Sequence, residues 1–140
     1  MGVFALGTVF GDSPSLPTRM PYRQATSDDL WVDDIQAADY NRWVKRGATQ
    51  ARSFELMKRD DGLYKYGIVV EYNTNPVIKG YGSAIFFHLW RAKGSPTAGC
   101  IALAADDLLR IIKWLDPAAG PLVVLETKAA SGGLDRKSVV

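Results

Sequence analysis

The chain holds one histidine, His88, and one cysteine, Cys100, twelve positions apart in the stretch FFHLWRAKGSPTAGCIAL. A thiol attacks well only once its proton is gone, and an imidazole within hydrogen-bond reach makes that possible at neutral pH. Gly99 precedes Cys100 and permits close approach of a substrate to the backbone. The amides of Gly99 and Cys100 could then donate to a developing oxyanion, and Thr97 offers a hydroxyl near the same point. Together these are the parts needed for acyl transfer through a thioester. The same residues also fit a plainer reading. Cysteine is among the most often buried residue types, and a histidine on an apolar strand is commonly a satisfied core group. Residue types alone leave both readings open.

Bringing His88 to Cys100 requires the chain to turn back between them. SAIFFHLW (83–90) reads as a strand that is apolar on both faces and therefore central in a sheet. Arg91, Lys93, Gly94, Ser95 and Pro96 supply a polar return loop. YKYGIVVEYN (64–73), rich in Val, Ile and Tyr, predicts a second strand; Tyr64, Tyr66 and Tyr72 share its parity and are assigned to one packing face. In ADDLLRIIKWLDP (105–117), Leu108, Ile111, Ile112 and Leu115 form a helical stripe that stops at Pro117. PLVVLE (121–126) reads as the last strand and GVFALGTVF (2–10) as the first.

The remaining segments are less regular. Residues 13–32 hold three of the seven prolines and predict one long surface loop. DDIQAADYNRWVKRG (33–47) predicts a short helix or helical turn that stops at Gly47, SFELM (53–57) a short strand or helical turn, and DDGLY (60–64) an Asp-Gly turn. If 53–59 is helical, Glu55 and Arg59 make an ion pair on its face. Trp31, Trp43, Trp90 and Trp114 are assigned to the core or to loop anchoring, with Trp90 on the face of His88. From Lys128 onward the composition is that of a disordered tail. The chain is therefore expected to form one domain over 1–127, mainly β or α+β with a single packed helix at about 105–116, followed by a tail over 128–140.

Composition narrows the function. A chain of 140 residues with 47% hydrophobic and 23% charged residues suits one compact core. The net charge of +2 is small and the basic residues are scattered, so no nucleic-acid partner is implied. One cysteine and one histidine are too few for a structural zinc site, and no cofactor is implied. No apolar run is long enough to cross a bilayer, and the start MGVFALGTVFGDSPS has neither the basic region nor the long apolar core of a secretory signal.

GSAIFFHLW followed by SPTAGCIAL resembles the active-site segment of the L,D-transpeptidase (YkuD-like) catalytic domain. That family carries a histidine on a strand, a loop, and then Ser/Thr-His-Gly-Cys. Thr97, Gly99 and Cys100 match this hallmark. FALGTVFG, ADYNRWV, FELMKRDDGLYKYGIVVEYN and LLRIIKWLDP also resemble a divergent branch of it, so the similarity covers roughly residues 2–126. The resemblance implies a β-rich catalytic fold, a cysteine nucleophile, no cofactor, peptidoglycan stem peptides as substrate, and a place in the periplasm or cell envelope. Carried over by residue, Cys100 would be the nucleophile, His88 the general base, and Gly99 with the Cys100 amide the oxyanion site. Thr97, Ser83, Tyr81, Asn73 and Arg91 would line the substrate groove, and the Tyr40-Asn41 pair is a further candidate for it.

The sequence departs from the family pattern at named places. Ala98 stands where the motif has a second histidine, Ala102 where many members carry Arg or Asn, and the loop from His88 to Cys100 is short. Arg91 and Lys93 are candidates for the missing contact to a substrate carboxylate. Family domains usually have strands upstream of the segment GVFALGTVFG. The chain thus reads either as an N-terminally shortened domain or as a reduced one that covers an exposed sheet edge by other means, such as a homo-oligomer with a second copy. Three functions follow: a peptidoglycan acyltransferase, an L,D-carboxypeptidase or amidase on the same scaffold, and a non-catalytic cell-wall-binding or incomplete domain. The reading assigns the orientation of His88 to a backbone carbonyl, since no carboxylate is placed beside it by sequence.

Overall fold

The computed structural model describes residues 2–91 and 100–125. The expected tail over 128–140 lies outside the described residues. Among the described residues nine strands form two sheets: β1 (Gly2–Gly11), β2 (Tyr22–Gln24), β3 (Asp29–Val32), β4 (Trp43–Lys45), β5 (Phe54–Leu56), β6 (Tyr66–Val70), β7 (Phe86–Leu89), β8 (Ile101–Leu103) and β9 (Leu122–Leu125). The larger sheet runs β2-β1-β6-β7-β8, with β9 also paired to β1; the smaller runs β4-β3-β5. One α-helix, α1 (Ala105–Trp114), and a 3-10 turn at Pro117–Ala119 complete the fold. The expected mainly β class with one packed helix is what forms.

Burial explains the layering. Every residue of β6 is buried, and Phe86, Phe87 and His88 of β7 are too, because the sheet is covered on both faces. On one face, Val9, Ile68, Val70, Phe87 and Ile101 meet Leu108, Ile112 and Leu115 of α1 and its flank. On the other, Phe10, Val69, Ala84 and Phe86 meet Trp31, Met57 and Tyr64. Each large side chain so buried contributes about 1.5–3 kcal/mol. Asp106 and Asp107 in the first turn of α1 and Lys113 in the last complement its dipole.

Gly67 sits where the sheet is tightest, opposite Phe10 in the β1–β6 register. A Cβ there would stand 2.5 Å from the Phe87 carbonyl oxygen and closer still to the Phe10 ring. Gly67→Ala is therefore expected to lower unfolding free energy by about 2 kcal/mol or more, as read by urea denaturation. A variant as stable as the wild type would contradict this packing.

Several expectations are corrected. Residues 13–32 are not one loop: they include β2, in parallel register with β1, and β3, whose four residues are all buried. Strands of three and four residues among prolines leave almost no periodic signal. Of the two forms expected for residues 33–47, the turn forms and the helix does not: the Ala37 amide donates to the Asp34 carbonyl and the Tyr40 amide to the Ala37 carbonyl, and β4 follows. Asn41 has a left-handed backbone (φ 58°), which a right-handed helix cannot contain, and Trp43–Lys45 pair with β3 instead. Residues 54–56 are a strand, so the helix-face pairing of Glu55 with Arg59 does not arise. Tyr64 falls in the turn before β6 and joins the opposite core cluster from Tyr66, since strand parity does not extend through a turn. Trp114 is exposed at the end of α1 rather than part of the core. The edge expected at the first strand is also absent: β1 pairs with β6 on one side and with β9 and β2 on the other, so the chain covers it from within.

Candidate active site

β7 and β8 run parallel, with His88 opposite Ala102. Alternation along the strands puts Phe86, His88 and Ala102 on the face away from α1, and Cys100, two residues before Ala102, packs into the same cluster as Phe86. From the spacings of a parallel sheet, the His88 and Cys100 Cα atoms are about 8 Å apart on one diagonal, within reach of two inward side chains. The polar segment between them allows this parallel return.

Tyr64 connects the pair. Its ring lies edge-on to His88, centroids 5.4 Å apart, and to Phe86 at 5.8 Å. Burial pushes the Tyr64 phenol up, with the Cys100 sulfur and Glu55 adding to the effect, so it stays a neutral hydroxyl beside the thiol. The Arg59 guanidinium lies 5.2 Å from the Tyr64 ring centre and is gripped by both oxygens of Asp61, at 2.6 to 3.2 Å.

His88 Nδ1 is 2.8 Å from the carbonyl oxygen of Leu89. A carbonyl can only accept, so Nδ1 carries the proton and Nε2 keeps the lone pair needed by a base. The ring is thus oriented by a backbone carbonyl. Burial lowers the His88 pKa; the Leu89 carbonyl opposes this, the Arg59 charge reinforces it, and Asp61 opposes it. The imidazole is neutral at pH 7 and remains so somewhat below pH 6.5.

This shift has a measurable sign. Above pH 6.5 neither the folded nor the unfolded chain protonates His88. Between 6.5 and the lower folded value only the unfolded chain does, so stability is lost as pH falls through that window. Because His88 is the only histidine, one imidazole signal can be followed by NMR titration. Its midpoint is expected below 6.5; a midpoint at or above 6.5 would contradict the buried neutral ring.

The Cys100 thiol is half-buried and donates to the Ala84 carbonyl at 3.2 Å. Ala84 has φ 58°, in the left-handed region that costs an alanine about 1 kcal/mol, so neighbouring contacts must impose it. Asn41 supplies one: its Oδ1 accepts from the Ala84 amide at 3.2 Å and from Trp31 Nε1 at 2.8 Å. The adjoining loop is tied down in the same way. Tyr40 OH accepts from the Gly82 amide, and Ser83 Oγ donates to the Val32 carbonyl.

The expected site residues fall into groups. Cys100 and His88 share one face of the larger sheet. Asn73, Tyr81 and Ser83 gather near Ala84: Asn73 Nδ2 donates to the carbonyls of Ile78 and Gly82, and the Tyr81 carbonyl accepts from Tyr72 OH while its own side chain is exposed. Arg91 lies on the Arg59 side, 3.4 Å from Asp61. Gly99, Thr97 and Lys93 lie outside the described residues. Tyr40 and Asn41 are both buried. A cavity of about 350 Å³ opens against Glu55 and Arg59. Burial raises the Glu55 pKa, Asp33 adds to this and Arg59 opposes it.

Sequence reasoning missed Tyr64, Ala84 and the role of Asn41. The Asp-Gly pair of 61–62 was a signal that Tyr64 belongs to a turn, and an asparagine among extended residues was a signal of left-handed backbone at 41.

The fold and this face define a two-sheet β domain that holds a thiol and a neutral imidazole on one face. The model of the YkuD family, the L,D-transpeptidase catalytic domain, matches residues 1–125, and the chain belongs to that family. No curated protein and no solved structure matches it. Among the described residues no helix is long and apolar enough to cross a membrane.

Proposed function

We propose that this protein is a cysteine acyltransferase of the cell envelope that acts on peptidoglycan stem peptides. The observation that carries the reading is the tautomer of His88: Nδ1–H is committed to the Leu89 carbonyl, which leaves Nε2 basic on the face shared with Cys100. Nε2 is thereby left able to take a proton from a thiol on that face.

In the forward half-reaction, Cys100 Sγ attacks the carbonyl carbon between the L-centre diaminopimelate and the terminal D-Ala of a tetrapeptide stem. The S–C bond forms as the thiol proton passes to His88 Nε2. The tetrahedral intermediate collapses, the C–N bond breaks, and the D-Ala amine leaves with the proton from the imidazolium. In the second half, an acceptor amine attacks the thioester and gives its proton to Nε2. The new amide bond forms, and the thiolate leaves and recovers that proton. Gly99 and the Cys100 amide serve as the oxyanion donors, and Thr97, Ser83, Tyr81, Asn73 and Arg91 as the substrate contacts.

The thiol rests on a carbonyl that stabilises its neutral form, and the imidazole is neutral. Proton transfer therefore accompanies attack instead of preceding it as a stored ion pair. The test is a transfer assay with a tetrapeptide donor and an amine acceptor, products read by mass spectrometry. Acceptor-dependent cross-linked product supports the acyltransferase, release of D-Ala without transfer makes the protein a carboxypeptidase on the same scaffold, and neither product overturns the reading.

A further inference from the structure

Asn41 is fully buried, yet all of its hydrogen-bonding capacity is used on other segments. Its Oδ1 accepts from Trp31 Nε1 and from the Ala84 amide, and its Nδ2 donates to the carbonyls of Tyr72 at 3.1 Å and Asn73 at 2.6 Å. One side chain thereby joins β3, the loop leaving β6 and the segment entering β7. Its own backbone is left-handed, as are those of Asn73 and Ala84. These three residues form a frame of unusual backbone closed by side-chain amides. The frame ends at the Ala84 carbonyl, which receives the Cys100 thiol.

We infer that Asn41 is a positioning residue for the nucleophile: by holding residue 84 from its amide side, it fixes the carbonyl that sets the rotamer and the protonated resting state of Cys100. The residue touches neither the thiol nor any substrate. It acts through the Ala84 backbone, where only the two torsions of one residue separate the held amide from the carbonyl. Removing the amide frees that carbonyl. The thiol then loses an acceptor that favours its neutral form, so it ionises more easily, while its alignment for attack is lost.

The inference rests on the acyl-transfer reading for its effect on rate, and on geometry alone for its effect on the thiol. Asn41→Gly is the variant of choice, because glycine accepts φ 58° without strain. Two quantities are read on folded protein: the pH profile of Cys100 alkylation by iodoacetamide, and the rate of acylation by a tetrapeptide donor. The expected result is an alkylation midpoint moved to lower pH, with acylation slowed about ten- to hundredfold and little change in KM. Leu108→Ala, which truncates the core on the opposite face of the sheet, serves as the control and is expected to move neither quantity. An unmoved alkylation profile in Asn41→Gly, or the same changes in Leu108→Ala, would overturn the inference. If the wild type accepts no acyl group, the functional reading falls and the alkylation profile still decides the role of Asn41. Should Asn41→Gly fail to fold, hydrogen exchange in the wild type decides: the Ala84 amide is expected to be protected at least about hundredfold, and an amide exchanging at the unprotected rate would overturn the inference.

Discussion

Cys100→Ala is expected to abolish covalent capture of an acyl donor while leaving the fold standing. The thiol is half-buried at the rim of a cluster whose mass comes from Phe10, Trp31, Met57, Tyr64 and Phe86. It donates to the Ala84 carbonyl, a bond whose loss should cost about 1 kcal/mol. Thermal denaturation and intact-mass analysis after donor incubation separate the two effects. A variant that loses stability by several kcal/mol and still transfers acyl groups would reduce the thiol to a packing group. Within the acyltransferase reading no other described side chain can replace it, since the chain has a single cysteine.

His88→Ala is expected to slow acylation at pH 7 by about 10²- to 10⁴-fold, the usual contribution of a positioned general base. Its structural cost should be larger than that of the cysteine. The ring is buried, touches Tyr64 edge-on and holds the Leu89 carbonyl, so truncation leaves a space beside Tyr64 worth about 2 kcal/mol. Residual activity should rise toward high pH, where the thiol ionises unaided. Wild-type rates in His88→Ala at pH 7 would show that the proton goes elsewhere.

The parts of this molecule that could be read from sequence are those where one residue's environment repeats with a regular period. The stripe Leu108, Ile112, Leu115 specifies α1, and the continuous apolar runs of β6 and β7 specify strands covered on both faces. His88 and Cys100 stood out because each is the only one of its kind. Strands β2, β3 and β4 could not be read because three or four residues span at most two periods, and their pairing partners lie elsewhere in the chain. Asn41 shows the limit most clearly. Nothing near it in sequence distinguishes a buried frame residue from a groove residue; its meaning comes from Tyr72, Asn73 and Ala84, 31 to 43 positions away. Tyr64 was misplaced for a related reason, since a turn resets the alternation on which the assignment of strand faces depends.

The two residues of the proposed reaction are braced from different sides. β7 lies between β6 and β8 and has α1 packed behind it, so His88 is held by the sheet itself. The thiol is held from the other side by the frame that ends at Ala84. The Arg59–Asp61–Arg91 group lies near the imidazole, where two guanidiniums share one carboxylate and Arg59 disfavours a second positive charge on the ring. That arrangement suits a base that is neutral until the moment of attack.

The measurement that tests the central claim most directly is intact-mass spectrometry of the wild type and His88→Ala after incubation with a carbapenem, which resembles the acyl donor of this family. The account predicts one carbapenem mass added to the wild type, located at Cys100 by peptide mapping, and formed far more slowly when His88 is replaced. No adduct on the wild type, with Cys100 also slow toward a small alkylating reagent, would contradict it and leave a domain that binds cell-wall peptide without reacting.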